Sequence, residues 1–239
     1  MDFNSKKCKT LHLGYSNKEF NYDMNGEWLQ SVDQEKDLGV IISSNLKVAD
    51  QCLEARNRAN KMLAIINRNV VYKSKEVICK LYNSYVRPLL EYCAQVWAPY
   101  LRKDIIMLEG VQRRATRMIS GFEGKRYEER LKELGMYSVE RRFVRGDMIQ
   151  VFKIFKSVDN IETNKFFIVD HGRETRGHNK KIRKRQCHLD IRIHSFSNRV
   201  VNFWNGLPQE VVSSDSLATF KKGLDRHMDG LEYRSLLAL

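Results

Sequence analysis

Three arginines stand within five residues of one predicted helix, and their chemistry suits phosphate groups. At 100° per residue, Arg113, Arg114 and Arg117 project away from the apolar side of a helix predicted to begin near residue 104. A guanidinium presents a planar fork of donors that matches phosphate oxygens better than an ammonium does. Arg102 and Lys103 extend the basic row toward the helix start. The pattern predicts a nucleic-acid-binding face, and the alternative is an ordinary solvated basic surface.

A second basic feature is the polar segment 170–186, which lacks periodicity and is predicted to be a loop. Between Arg173 and Arg185 the only acid is Glu174. Such a run can bind nucleic acid, serve as a nuclear localisation signal or be a flexible exposed loop, and the sequence leaves these three alternatives open. The cations are Arg173, Arg176, Lys180, Lys181, Arg183, Lys184 and Arg185.

Potential metal ligands occur in the same part of the chain. A structural zinc site needs four convergent ligands, usually in closely spaced pairs, and the spacing here matches no standard pattern. We therefore expect no metal site. The candidate ligands are His171, His178, Cys187, His188 and His194.

Other catalytic chemistry finds little support in the sequence. There is no GxSxG string and no P-loop. Asp33, Glu35 and Asp37 alternate beside a predicted strand, but a two-metal polymerase site needs carboxylates that converge from separate strands. Solvated surface is the better interpretation of these acids. The sequence thus favours binding over catalysis.

Charge separates the chain into two parts. The net charge is +13, yet residues 1–45 carry five Lys and Arg against seven Asp and Glu, so the remainder has an excess of +15. An excess of this size favours a polyanionic partner, because each contacted phosphate releases counterions from the nucleic acid. The alternative is a charge that serves solubility.

Composition is that of a soluble, mainly helical protein. The 239 residues include only three prolines and 13 glycines, which favours helices over turn-rich β structure. The five cysteines form no CxxC pair, and Cys52, Cys79 and Cys93 fit small buried hydrophobes in a reducing compartment. No signal peptide and no run of about 20 apolar residues is present. We expect a nuclear or cytoplasmic protein that does not enter a membrane.

The predicted elements place the arginine row in a helical middle part. Residues 1–45 read as short strands, at 10–13 and 38–42, with a turn at Asn25-Gly26. Five helices should follow. The first begins at about residue 50, and the second begins after the N-cap Ser74 and has a kink at Pro88. The others run from about residue 104 to Gly121, over 127–134 and from the N-cap Ser138 onward. The apolar stripe predicted for the Pro88 helix includes Tyr85 and Tyr92 and leaves Trp97 outside. These elements predict a helical bundle.

The C-terminal part is predicted to mix strands and helices. Residues 166–169 and the alternating segment 187–193 fit strands, and helices should begin near Ser197 and Ser216. The whole chain is therefore predicted to be mainly α, with a small N-terminal β part and a small α+β C-terminal region. The expected domains are 1–45, 46–160 and 161–239.

Several strings resemble the reverse transcriptases of non-LTR retrotransposons of the jockey and chicken-repeat type. Together they cover about residues 3–228 and are highly specific to that family. They are 3–14 (FNSKKCKTLHLG), 35–42 (EKDLGVII), 81–93 (LYNSYVRPLLEYC), 97–100 (WAPY), 108–117 (LEGVQRRATR), 127–131 (YEERL) and 196–208 (FSNRVVNFWNGLP).

The resemblance implies a position downstream of the polymerase active site. Residues 1–45 would be a remnant of the palm, in which the segment of Lys36 and Gly39 corresponds to the primer-grip hairpin. The helices would form the thumb, which holds the template–primer duplex. The intact family enzyme uses Mg²⁺, bound by an Asp-Asp pair that this chain lacks, and the fingers and the endonuclease are absent as well. A 5′-truncated copy of the element explains this pattern.

Three functional hypotheses follow. The first is a fragment of an RNA-directed DNA polymerase that is inactive alone, holds no cofactor and binds RNA or RNA/DNA duplex without sequence preference. The second is an inert or protein-interaction remnant that self-associates through the surface once covered by the palm. The third is a complete polymerase whose catalytic part is encoded upstream of Met1, which the upstream DNA would show.

Overall fold

The chain is mainly helical with only small sheets, as its sequence predicts. The structure is a computed structural model and describes residues 4–14, 16–170 and 177–231. Within these ranges no helix combines the length and the apolar character needed to cross a membrane.

Short strands fill the N-terminal part. β1 and β4 pair in parallel, whereas β2 and β3 form an antiparallel hairpin. The predicted turn at Asn25 and Gly26 connects this hairpin, and both residues have a positive φ, 54° and 81°. The four strands are β1 (Lys9–Leu11), β2 (Asp23–Met24), β3 (Glu27–Trp28) and β4 (Gln30–Val32).

A second hairpin joins β5 (Gln34–Asp37) to β6 (Val40–Ser43). Its turn is formed by Leu38 and Gly39, with φ values of 45° and 84°. The strand predicted over 38–42 therefore begins two residues later, because its first two residues make the turn. The hairpin lies on the first long helix, where the Ile41 amide donates to Gln51 Oε1 at 2.8 Å.

That helix, α1 (Ala49–Asn69), confirms the predicted helical stripe. Its inner face is buried and consists of Cys52, Ala55, Ala59, Leu63 and Ile66. Burial raises the pKa of the Cys52 thiol to about 12, which fits the expected small buried hydrophobe. Cys79 and Cys93 are only half-buried, so the same prediction is too strong for them.

In the next helical stretch, the residues that face the core are not those that were predicted to do so. α2 (Lys75–Leu81) passes through one π-helical segment, Tyr82–Val86, into α3 (Arg87–Glu91), and α4 (Ala94–Trp97) follows. A π segment holds about one more residue per turn than an α-helix, so the residues that face the core are spaced four apart along this stretch. The buried positions are accordingly Ile78, Tyr82, Val86, Leu90 and Ala94.

Two aromatic predictions in this stretch are wrong for the same reason. Tyr85 and Tyr92 were expected in the core but are 56% and 51% exposed, whereas Trp97 is 2% exposed. At the predicted kink near Pro88 the helical backbone continues, and the π segment ends at Val86; α3 then begins at Arg87 and has the proline in its first turn.

Three further helices complete the middle of the chain; the first ends at Arg117, four residues before the predicted stop at Gly121, whereas the other two confirm the predicted stop at Gly135 and the predicted cap at Ser138. Gly135 ends the second of them with a φ of 60°, and the Ser138 hydroxyl caps the third by accepting from the Arg141 amide at 3.2 Å. The helices are α5 (Arg102–Arg117), α6 (Tyr127–Leu134) and α7 (Val139–Phe155).

The C-terminal part consists of short helices around one small hairpin and ends in a longer helix. The strands β7 and β8 pair antiparallel, and the last helix begins near Ser216 as predicted, with the Ser216 hydroxyl as its cap. The elements are α8 (Thr163–Phe166), β7 (Ile168–Val169), β8 (Ile182–Arg183), α9 (Asp190–Ile193), α10 (Phe196–Arg199), α11 (Val201–Asn205), α12 (Gln209–Val212) and α13 (Leu217–Asp229).

The strand predicted over 187–193 is wrong. This segment contains the helical turn α9, and its apolar residues Leu189 and Ile191 are exposed. The buried Asn198 holds it, since its side-chain amide donates to the Arg192 carbonyl at 3.0 Å and to Cys187 Sγ at 3.1 Å. The strand predicted over 166–169 is shorter than expected, because Phe166 ends α8.

Two buried clusters form the core and meet on α7. The first extends from Val40 of β6 through the middle helices to Phe143, and the second extends from Val144 to Met228 of α13. Phe152, Trp204 and Phe220 form the centre of the second cluster, in which the rings of Phe152 and Phe220 stack at 4.2 Å. α7 therefore fixes the C-terminal helices to the middle of the chain.

Candidate nucleic-acid interface

The outer face of α5 carries the arginine row that the sequence predicts. Arg113, Arg114 and Arg117 are exposed, whereas Ile105 and Leu108 on the opposite side are buried. The spacing of the apolar residues fixes this orientation, because a helix that buries one face must turn the other to solvent. The three guanidinium groups are thus available to a ligand from outside.

None of these three arginines makes an ion pair with a carboxylate in the described ranges. The Arg113 guanidinium lies 4.4 Å from the centre of the Tyr127 ring. Arg114 Nη2 donates to Asn60 Oδ1 of α1 at 2.6 Å. These contacts orient two of the side chains without an ion pair, although the charge of Arg113 acts on the buried Glu109 and lowers the pKa of that carboxyl.

A fourth arginine, which the sequence analysis missed, joins this group from α6. Arg130 is only 7% exposed, and its Nη1 donates to the Arg113 carbonyl at 3.0 Å. Its guanidinium lies 5.5 Å from the centre of the same Tyr127 ring, and its buried Nε has no hydrogen-bond partner. The signal in the sequence was the spacing of Tyr127 and Arg130, three residues apart on one short helix.

The positive charges of these arginines repel one another, and the effect is seen in the pKa of Arg130. Burial lowers the pKa of Arg130, and the charges of Arg117 and Arg113 lower it further, while Tyr127 and Glu128 act in the opposite direction. The cluster formed by Arg113, Arg117 and Arg130 is defined as the arginine cluster. A local excess of positive charge of this kind attracts anions.

A buried polar network holds the arginine cluster in place. Tyr127 donates its hydroxyl hydrogen to Glu109 Oε1 and accepts from Gln112 Nε2 at 3.0 Å. Glu109 Oε2 accepts from the Val139 amide at 2.9 Å and so binds the first turn of α7. Burial raises the pKa of Glu109, and the hydrogen bonds from Tyr127, Glu140 and Val139 counteract this effect. The network connects α5, α6 and α7 beneath the cations.

The cations near the start of α5 have a different environment. Arg102 Nη1 forms an ion pair with Glu140 Oε2 at 3.2 Å. Lys103 is exposed and has no ion-pair partner within the described part of the chain. The basic row predicted along α5 is therefore partly neutralised at its first turn.

The predicted primer-grip residues lie on the β5–β6 hairpin, apart from the arginine cluster. Lys36 Nζ forms an ion pair with Glu54 Oε1 of α1 at 3.1 Å. The turn is held by Tyr92, whose hydroxyl donates to the Leu38 carbonyl at 3.0 Å. A Cβ at Gly39 would lie 3.3 Å from Tyr92 Cε1, so the turn approaches this ring closely. The side chain of Leu38 itself is 84% exposed.

The basic segment near the C-terminus is held to the fold by its backbone rather than lying free. The Lys180 carbonyl accepts from the Trp204 indole at 2.8 Å, and the Arg185 amide donates to Asn198 Oδ1 at 3.1 Å. Arg183 lies in β8 and forms an ion pair with Asp170 at 3.5 Å. The prediction of a loop over 170–186 is therefore wrong at Ile182–Arg183. Lys181 of the same segment is half-buried, and Lys184 is exposed. Arg173, Arg176 and His171 lie outside the described residues.

The candidate metal ligands do not converge in the described ranges. No group of three or more His, Cys, Asp or Glu side chains that could hold a metal is found there. His178 is buried against Trp204, His194 stacks on Tyr100 at 4.0 Å between ring centres, and His188 is exposed. Of the acids near β5, Glu35 forms an ion pair with Lys9 at 2.8 Å.

No family model matches the chain, and no curated protein or solved structure was found to be similar to it. Function is therefore inferred from the arrangement of the side chains and from the sequence resemblance.

Proposed function

We propose that the chain is the part of a non-LTR retrotransposon reverse transcriptase that lies downstream of the catalytic aspartates, and that it binds RNA or RNA/DNA duplex without sequence preference. In this proposal the middle helices act as the thumb and the β5–β6 hairpin as the primer grip. One observation carries the binding hypothesis: Arg113 and Arg130 lie against the Tyr127 ring, Arg117 acts on Arg130 through its charge, and none of the three forms an ion pair with a described carboxylate.

Phosphates are the ligands that fit this surface best. The exposed guanidinium groups of Arg113 and Arg117 offer donors to the oxygens of a phosphodiester, Arg130 adds positive charge beneath them, and contact releases counterions from the nucleic acid. Gly110 lies on the same exposed side of α5, and a Cβ there would meet no atom within 4 Å. A glycine inside a helix costs about 1 kcal/mol relative to alanine. Its presence here leaves room for the backbone of a ligand beside the arginines.

A salt titration tests the binding hypothesis. Fluorescence anisotropy with a labelled RNA/DNA duplex should show a logarithm of the affinity that falls linearly with the logarithm of salt concentration. Arg117→Ala should lower the magnitude of this slope by about 1, the value expected for one lost phosphate contact. Arg58→Ala is the matched control, because Arg58 is exposed on α1 outside the arginine cluster. Equal effects of the two substitutions, or affinity independent of salt, would contradict the proposal.

Polymerisation is tested separately. The sequence contains no Asp-Asp pair, so we predict that the 239-residue chain does not extend a primer on an RNA template in the presence of Mg²⁺. Primer extension by the purified chain would overturn this part of the proposal and leave the binding part standing.

A second candidate function is protein interaction. An apolar groove of about 690 Å³ lies between the β5–β6 hairpin and the C-terminal helices, with Ile42, Val96 and Ile191 among its lining residues. Exposed apolar surface of this extent marks interaction sites. Sedimentation that shows self-association, combined with no affinity for the duplex, would favour this function over nucleic-acid binding.

A further inference from the structure

A second recess lies beside the arginine cluster, between α1 and α5. It is an open groove of about 450 Å³, within the range of roughly 300–1,000 Å³ that is typical of sites for small ligands. Leu63, Ala64 and Met118 supply its apolar surface, and Asn60, Asn67 and Arg117 supply polar groups.

The apolar surface of the groove suits a flat ring. Leu63 is 4% exposed and belongs to the core, whereas Ala64 is exposed and fills little space with its single methyl group. Met118 is half-buried, and a thioether makes favourable contacts with aromatic rings. Every nucleobase has a π face, so a base fits such a surface whatever its identity.

The polar groups suit the edge of a base. The side-chain amide of Asn67 has no hydrogen-bond partner in the described part of the chain. Asn60 Oδ1 accepts from Arg114, and the amide nitrogen of Asn60 points to no described acceptor. An amide offers one acceptor and two donor hydrogens, the same kinds of groups that base edges present. In a duplex the π faces are stacked on neighbouring bases and the Watson–Crick edges are paired, so only an unpaired base can offer a face and a Watson–Crick edge to the groove together.

The charge next to the groove suits the phosphate attached to that base. Arg117 lines the groove and also belongs to the arginine cluster. Its guanidinium makes no ion pair with a described carboxylate. One nucleotide can therefore reach both features at once.

We infer that the α1–α5 groove binds an unpaired base of a single-stranded nucleic acid while its phosphate lies on Arg117. This inference rests on the proposed function and narrows it, because it assigns a preference for single strands to a surface that otherwise contacts only the backbone.

The test compares Ala64→Leu with the unchanged chain. Leucine is a good helix former, so the exposed substitution keeps α1 intact while its side chain fills the groove. Anisotropy should show about a tenfold loss of affinity for a labelled single strand, because the leucine occupies the space in which the base would bury its apolar face. Affinity for the duplex of the same sequence should stay within about twofold. Asn57→Leu places the same apolar side chain on an exposed position of α1 outside the groove and should change neither affinity.

A second substitution tests the polar edge. Asn67→Ala removes the unpartnered amide without disturbing any described contact. We expect the single-strand affinity to fall about fivefold, again with little change for the duplex. Circular dichroism and the melting temperature establish that each variant is folded.

The outcomes separate the two proposals. If Ala64→Leu leaves single-strand affinity unchanged, or weakens duplex and single strand equally, the groove inference fails while salt-dependent binding by the arginine cluster stands. If the unchanged chain binds neither polymer, the proposed function fails as well.

Discussion

Two groups of arginines in this chain show opposite relations to their surroundings. Around α7, arginines are matched to carboxylates of both the middle and the C-terminal parts by two-pronged hydrogen bonds: Arg142 with Glu91, Arg145 with Asp225, and Arg199 with Asp147. In the arginine cluster on α5 and α6, no such partner is present among the described residues. The two groups therefore differ in whether the fold itself supplies the carboxylate partner, which is the difference on which the proposed nucleic-acid binding depends.

Arg199 shows how completely a structural arginine is satisfied. Its Nε and Nη2 donate to Asp147 at 2.8 and 2.9 Å, and Nη2 also donates to the Gln95 carbonyl at 3.0 Å. Nη1 reaches the His194 carbonyl at 3.3 Å. The side chain thereby connects α7, α10 and the α4 segment. Arg117, in contrast, has no described hydrogen bond.

The largest effect is expected in the group around α7. Arg199→Ala should lower the free energy of unfolding by about 3–5 kcal/mol, because it leaves the buried Asp147 carboxylate without its charged partner. Urea denaturation followed by circular dichroism measures this change. A loss below about 1 kcal/mol would mean that the pair contributes no more than a surface ion pair, and the contrast would disappear.

A smaller effect is expected from a neutral buried group in the same C-terminal core. His178 Nε2 donates to the Trp204 carbonyl at 2.8 Å, and Nδ1 accepts from the Lys180 amide at 3.1 Å, which fixes a neutral tautomer. Burial lowers the pKa of His178 below its ordinary value of 6.5. Its contribution to stability is therefore complete above pH 6.5 and is lost as the pH falls from that value toward the lowered pKa, by at most about 1.4 kcal/mol per pH unit.

Urea denaturation across pH 5 to 8 checks this expectation, and His178→Gln is the control. Glutamine keeps a donor for the Trp204 carbonyl but does not titrate, so the variant should lose less stability on acidification than the unchanged chain. Parallel curves for the two proteins would show that His178 is protonated equally in the folded and unfolded states.

The smallest effect on stability is expected in the arginine cluster, and it sharpens the contrast most. Arg117→Ala should change the free energy of unfolding by less than about 0.5 kcal/mol, because the side chain is exposed and has no described partner. The same variant is expected to weaken nucleic-acid binding. Destabilisation by more than about 2 kcal/mol would make this arginine structural, and the proposed division between the two groups would be wrong.

Much of the helical architecture was predictable because its signals are local. Ser74 and Ser138 cap the helices that they were expected to cap, the helix expected to begin near Ser216 does so, and Gly135 ends α6 in the left-handed conformation. The exposed arginine row of α5 followed from the same kind of information, since a period of 3.6 residues decides which side faces the core.

The errors arose where a contact distant in sequence decides the local structure. The π segment before α3 shifts the inward face, and no residue type announces it, so Tyr85 and Tyr92 were wrongly placed inside. The alternation over 187–193 indicated a strand, yet the Asn198 amide stabilises a helical turn there. Arg130 escaped notice because only the folded chain brings α6 against α5.

Tyr92 has a consequence for observing the hairpin in solution. Its hydroxyl holds the Leu38 carbonyl at the hairpin tip, and its own carbonyl accepts from the Trp97 indole at 2.7 Å. A displacement of the tip is therefore transmitted through a single residue to a tryptophan enclosed by protein. The emission of that indole provides an intrinsic optical reporter of whether the tip is seated, with no added label.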